Sequence, residues 1–260
     1  MSSEFLGDPR FRQHIAECTD RAWLRQHAIQ VPKDQINVVA EIPGALFDYD
    51  QNVMVKLFGW RNTVSIIFSP VMRSRAKKSW DMARWLLERS VNTPQPLAVY
   101  TARKYGVIRE NFYLSKAVRD YRTARHILQD TTVSRNDKNH LIQSLAKIVR
   151  RIHDHHAVHN DLTLANFLVK DFVPEEIALV DLNRATRWWR LPRMKRLADI
   201  ARMDLCSCDF TNPTDHYCFR EVFLRAYGKE NYTRNQKVLS RLVRHRFRQK
   251  RMKRLRNLWN

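Results

Sequence analysis

The stretch "VHNDLTLANFLV", residues 158 to 169, decides how this chain is read. Val158, Leu162, Leu164, Phe167, Leu168 and Val169 have the apolar content of a buried strand and loop, yet His159, Asn160, Asp161, Thr163 and Asn166 interrupt them. A buried polar group costs free energy unless it finds a partner, so a segment that only filled a core would not carry five of them. The interruption points to chemistry.

Phosphoryl transfer from ATP needs a carboxylate that orients an attacking hydroxyl and takes its proton. It also needs hard oxygen ligands for Mg²⁺ and a cation on the phosphates. His159, Asp161 and Asn166 stand in the order H-x-D-L-x-x-x-N that builds such a loop. Just upstream, "KNHLIQSLAKIVRRIHDHH" (138 to 156) spaces Leu141, Leu145, Ile148, Val149 and Ile152 as one helical stripe leading into the loop. Downstream, "EIALVDLNRA" (176 to 185) reads as a short buried strand ending in a polar turn, with Asp181 where a second metal carboxylate is expected. Such a string alone arises by chance, and an Asp at a strand end is often a turn former. Together, and preceded by a helix, they favour the chemical reading.

Further out, "NVMVKLFGW" (52 to 60) alternates like a strand, and "VSIIFSPV" (64 to 71) is a second candidate. "SRAKKSWDMARWLLERS" (74 to 90) places Ala76, Trp80, Ala83, Leu86 and Leu87 at helical spacing and stops at the turn chemistry of "NTPQP" (92 to 96). Residues 96 to 118 read as two strands joined around Lys104 to Gly106, and residues 193 to 260 are mostly helical in pattern. Strands first and helices later predict an α+β fold of two lobes: a β-rich N-terminal lobe with one helix over 1–118, and a helical C-terminal lobe over 119–260.

In this order, "VMVKLF", "SRAKKSWDMARWLLERSVNTPQPLAV", "IHDHHAVHNDLTLANFLV" and "VDLNRATR" resemble the protein-kinase-like superfamily and, within it, the lipopolysaccharide core kinase group (InaA/WaaP-type). The resemblance implies a bilobal kinase fold and ATP-dependent phosphorylation of a sugar hydroxyl, a heptose of the lipopolysaccharide inner core, at the cytoplasmic membrane face of a Gram-negative bacterium. It implies Asp161 as catalytic base, Asn166 and Asp181 as Mg²⁺ ligands and Lys56 on the ATP phosphates. His159 would support the loop, and Asp199 would tie its backbone together. Several departures accompany it. No G-x-G-x-x-G occurs, so phosphate cover would come from another loop, with "EIPGALFDYD" (41 to 50) as the candidate. The helix register puts Ser79 where a glutamate would pair Lys56, with Asp81 the nearest carboxylate. Asn160 replaces the arginine that reads an activation-loop phosphate, Thr163 stands where protein kinases carry lysine, and Asn183 replaces the glycine of D-F-G. These changes argue against protein substrates and activation-loop control.

The chain carries 47 Lys and Arg against 26 Asp and Glu, a formal charge of +21, which attracts polyanions without choosing among them. Arg184, Arg187, Arg190 and Arg193 follow the Asp181 turn and are candidates for an acidic glycolipid; Trp188 and Trp189 could stack on sugars or enter the core. The tail interleaves Arg241, Arg244, Arg246, Arg248, Lys250, Arg251, Lys253, Arg254 and Arg256 with apolar residues. It fits a solvated basic helix or one lying on an anionic membrane, where each cation contributes about 1 kcal/mol. Nucleic acid is disfavoured, because no stacking array or reading motif accompanies the charge. A basic pseudokinase adaptor, or a kinase for another small molecule or protein, is the alternative; the oligomeric state is open. The histidines 153, 155, 156 and 159, and the set Cys206, Cys208, His216 and Cys218, are weak metal candidates that lack a known ligand spacing. Four cysteines without a framework, a start "MSSEFLGDPRFRQH" without an apolar signal region and no long apolar run lead to the expectation of a reduced, cytosolic protein with at most peripheral membrane contact.

Overall fold

The computed structural model of the 260-residue chain describes residues 2–59, 72–170, 173, 176–205, 218–228 and 232–258, apart from the side chains of 232, 233, 247, 250, 251 and 253–258. The strand expected at 64–71 lies outside these residues. The chain divides into two compact units, Met1–Arg119 with Val180–Ala185, and Asp120–Leu179 with Thr186–Asn260.

The first unit is built on an antiparallel sheet of six described strands: β1 (Ser2–Gly7), β2 (Gln30–Asp34), β3 (Asn37–Ile42), β4 (Val53–Phe58), β5 (Pro96–Lys104) and β6 (Val107–Lys116), in the order β1-β5-β6-β4-β3-β2. Alternation along β4 sends Val53, Val55 and Leu57 to one face and Met54, Lys56 and Phe58 to the other. The first face packs with Val38, Ala40, Ile42, Phe112 and Leu114 beneath an N-terminal layer that contributes Phe11, Cys18 and Leu24. That layer consists of a 3-10 turn at Pro9–Arg12 and two short helices, α1 (Ile15–Thr19) and α2 (Arg21–His27). On the opposite face α3 (Arg75–Leu87) sets Ala76 and Trp80 against Phe58, Val99 and Tyr113. Ser74 caps α3 by accepting from the Lys77 N–H, and its hydroxyl shares a 2.7 Å hydrogen bond with Thr101.

The segment 41–50 does not serve as phosphate cover near Lys56. Its 3-10 turn Gly44–Phe47 buries Phe47 fully among residues of the face opposite Lys56. A Cβ at position 44 would stand 2.1 Å from the Gln51 carbonyl oxygen, so this close turn requires glycine. The expected break between strands at Lys104 to Gly106 is where β5 and β6 turn, with Tyr105 and Gly106 both at positive φ.

The second unit carries α4 (Ala124–Gln129), α5 (Arg135–Asp154), α6 (Arg193–Ile200), α7 (Arg220–Tyr227) and α8 (Tyr232–Leu258). Strands β7 (Tyr121–Thr123), β9 (Phe167–Lys170) and β10 (Ile177–Leu179) form a small antiparallel sheet. Strands β8 (Ala157–Val158) and β11 (Thr186–Arg187) form a two-stranded ribbon. The stripe on α5 buries Leu141, Leu145, Val149 and Ile152, and it adds Ile142, Ala146 and His153. Leu239 and Val243 seat α8 on the body of the unit.

Candidate active site

The quoted loop runs from β8 to β9, and its apolar residues anchor both ends. Val158, Leu162, Leu164, Phe167 and Val169 are at most 5% exposed. Between them the polar side chains find specific partners. Asp199, on α6 and 1% exposed, accepts from two successive loop N–H groups: His159 N to Oδ2 at 2.8 Å and Asn160 N to Oδ1 at 2.8 Å. This clamp fixes Asn160 in the left-handed region at φ 61°. The Asn160 amide meanwhile donates to Thr186 Oγ1 at 2.9 Å. His159, 1% exposed, accepts from the Asp161 N–H at 3.3 Å through Nδ1. Asn166 Nδ2 donates to the Asp161 carbonyl at 2.8 Å, closing the loop around the half-buried Asp161. Asn166 therefore commits its NH₂ to the loop and keeps its oxygen as the atom able to coordinate a cation.

Behind the loop, His153 of α5 joins Tyr227 Oη at 2.8 Å and lies 3.4 Å from Asp199 Oδ2. Burial pushes the His153 pKa down, and although Asp199 works the other way the net direction is downward. Burial alone would raise the Asp199 pKa; the hydrogen bond and charge of His153, with the His159 N–H, outweigh it and hold the carboxyl below its ordinary value. The resemblance implied Asp199, but nothing in the sequence exposed the partnership of His153 with Tyr227.

In the first unit, Lys56 Nζ lies 2.5 Å from Asp181 Oδ1, with the two side chains 16% and 31% exposed. Asp181 sits at φ 64°, opening a 3-10 turn (Leu182–Arg184) that packs against α3. Asn183 Nδ2 donates to the same Asp181 oxygen. The carboxylate that pairs Lys56 is thus Asp181. Ser79, at the helix position where a glutamate was sought, bonds back to the Arg75 carbonyl at 3.0 Å, and Asp81 pairs Lys77 at 2.5 Å and Arg73 at 3.3 Å. Burial draws the Lys56 pKa down; Asp181 opposes this, and the charges of Lys33 and Arg75 add to it.

Arg184 and Arg187 are both exposed, the first in the Asp181 turn and the second on β11. Beside Arg187, Trp188 is 40% exposed with Lys195 5.2 Å from its ring, and Trp189 is 98% exposed. The His153 ring lies beside Asp199 and the His159 ring accepts from the Asp161 N–H, whereas His155 and His156 are exposed, so these four do not converge. Cys206, Cys208 and His216 lie outside the described residues. No described helix is long and apolar enough to cross a membrane.

A strand lysine paired to an aspartate after a short strand, together with an H-x-D-L-x-x-x-N loop clamped by a helix aspartate, is the framework of a protein-kinase-like α+β fold. A solved structure titled "WaaP in complex with acyl carrier protein" superposes with a TM-score of 0.65 at 18% identity, covering 94% of this chain and 98% of that one. The profile of the lipopolysaccharide kinase (Kdo/WaaP) family matches residues 60–227, and the chain belongs to that family. A 3-deoxy-D-manno-octulosonic acid kinase of Vibrio cholerae is 25% identical over 154 residues, which is 58% of this chain; the chain spans 63% of that relative's length.

Proposed function

We propose that the protein is an ATP-dependent kinase that phosphorylates a sugar hydroxyl in the inner core of lipopolysaccharide. The observation that carries this reading is the Lys56–Asp181 ion pair, which joins a sheet lysine to the aspartate expected to hold metal. In this reading Asp161 orients the acceptor hydroxyl and takes its proton as the new oxygen–phosphorus bond forms and the bond to the ADP oxygen breaks. Lys56 holds charge on the α- and β-phosphates. Asp181 and Asn166 offer the hard oxygens that suit Mg²⁺, which when bound neutralises the phosphates. Asp199 and His159 are positioning residues, keeping the Asp161 backbone in place.

The acceptor is an acidic glycolipid, contacted by Arg184 and Arg187. The resemblance to the lipopolysaccharide core kinase group implied heptose. The likeness to a 3-deoxy-D-manno-octulosonic acid (Kdo) kinase favours Kdo, with heptose the second reading. The enzyme works from the cytoplasmic side, resting on the anionic membrane through α8. Arg234, Lys237, Arg241, Arg244 and Arg248 recur there every third or fourth residue and are exposed. Gln236, Lys237, Ser240, Arg241 and Arg244 line a concavity of about 330 Å³.

The test is transfer of labelled γ-phosphate from Mg-ATP to two purified core acceptors, one offering a Kdo hydroxyl and one a heptose hydroxyl. Label on either that disappears with Asp161→Ala supports the activity and names the sugar. A folded protein that binds ATP and labels neither sinks the lipopolysaccharide reading. Replacing Lys237, Arg241 and Arg244 together by Ser is expected to weaken sedimentation with anionic liposomes while nucleotide binding persists.

A further inference from the structure

Val39 on β3 lies opposite Lys33 of β2 on one side and opposite Lys56 of β4 on the other. Directly opposed residues of antiparallel strands share a face, so Lys33, Val39 and Lys56 form one row across the sheet. Strands are about 4.8 Å apart, which puts the two lysine Cα atoms about 10 Å apart, with both side chains on the same face. A third cation joins them. The Phe58 ring has Lys56 Nζ 5.3 Å and Arg75 Cζ 5.1 Å from its centroid, and Arg75 is fixed there by Asn37 Oδ1 and the Gly59 carbonyl. Lys33 and Arg75 both act against the Lys56 charge.

The β2–β3 turn holds its shape without glycine. Arg21 on α2 donates to the Gln35 and Ile36 carbonyls at 2.9 and 2.5 Å, and Arg25 grips Asp34 through two bonds of 2.6 and 3.0 Å. Asp34, the carboxylate next to Lys33 in sequence, is therefore spent on Arg25. A pinned hairpin of this kind cannot drape backbone N–H groups over a polyphosphate as a glycine-rich loop does. It instead presents an exposed lysine on the face that carries Lys56. Gathering like charges on one face is unfavourable until a polyanion meets them.

We propose that Lys33 is a nucleotide-phosphate ligand, supplying from a rigid hairpin the phosphate contact that the missing glycine-rich loop would make. The inference rests on the kinase reading above, and its test separates the two. Equilibrium binding of Mg-ATP and of adenosine would be measured on the full chain as wild type, Lys33→Met and Lys33→Arg, with circular dichroism to verify folding. Loss of one charge-assisted phosphate contact is expected to weaken Mg-ATP binding about tenfold in Lys33→Met and to leave adenosine binding unchanged, with Lys33→Arg close to wild type. Equal Mg-ATP affinity in wild type and Lys33→Met would overturn the Lys33 assignment while the kinase reading stands. Parallel loss of adenosine would also overturn it, by tracing the effect to the hairpin's shape. A folded wild type that binds no nucleotide would overturn both.

Discussion

Asp199 and Asp181 are both aspartates that the sequence marked, and the chain treats them in opposite ways. Asp199 is sheathed: 1% exposed, with both oxygens accepting from loop N–H groups and His153 beside it. Asp181 is 31% exposed in its side chain and held at positive φ, with Lys56 and Asn183 gathered on a single oxygen. A carboxylate with both oxygens accepting from loop N–H groups builds structure, whereas a partly exposed one beside a lysine is placed where a ligand can reach it.

The sharpest way to break this contrast is to neutralise each aspartate. In the proposed mechanism Asp181→Asn removes a charged Mg²⁺ ligand and is expected to lower phosphoryl transfer about 10²- to 10³-fold. Its unfolding midpoint should fall less than that of Asp199→Ala, because the Asp181 side chain is 31% exposed whereas Asp199 is buried. Urea titration alongside the kinetic assay would check both parts. Asp199→Ala should reverse the pattern, costing about 3 kcal/mol of stability by orphaning one buried and one partly buried loop N–H group. Transfer would fall with it as the loop loosens.

The pH dependence separates the two sites further. His153 titrates below its ordinary value in the folded state, so the unfolded chain binds a proton that the folded chain does not. Stability is then complete above about pH 6.5 and falls below it, by at most about 1.4 kcal/mol per pH unit. The contribution of Asp199, whose pKa is lowered, persists until the pH drops below about 4. Thermal melts from pH 7.5 to 5 should show the first loss, and His153→Gln should flatten it. The smallest effect belongs to Asn183→Ala. Removing one hydrogen bond to Asp181 should reduce transfer about threefold to tenfold, read as a higher KM for Mg-ATP.

The loop, the α5 stripe and the β5–β6 turn were legible because their signals are local: motif order, helical spacing and a Tyr-Gly turn. The partner of Lys56 was not legible, since the expected register searched a helix for a glutamate while Asp181 filled the place from 125 residues away. β1 carries no readable strand signal, because five of its six residues are exposed and leave no apolar alternation. The β2–β3 hairpin was passed over because its turn, Gln35–Ile36, uses none of the usual turn residues and is held by arginines of α2 instead. Segment 41–50 carries no local signal of its place: its Gly44 permits a tight turn that buries Phe47.

The separation of Lys56 from Asp181 also has a consequence in time. A ribosome adding about 5 to 20 residues per second releases the lysine strand about 6 to 25 s before the aspartate that pairs it. Through that interval the strands of the first unit can assemble, but their buried ammonium has no carboxylate. The first unit is completed only when Val180–Ala185 emerges, after much of the second has been made.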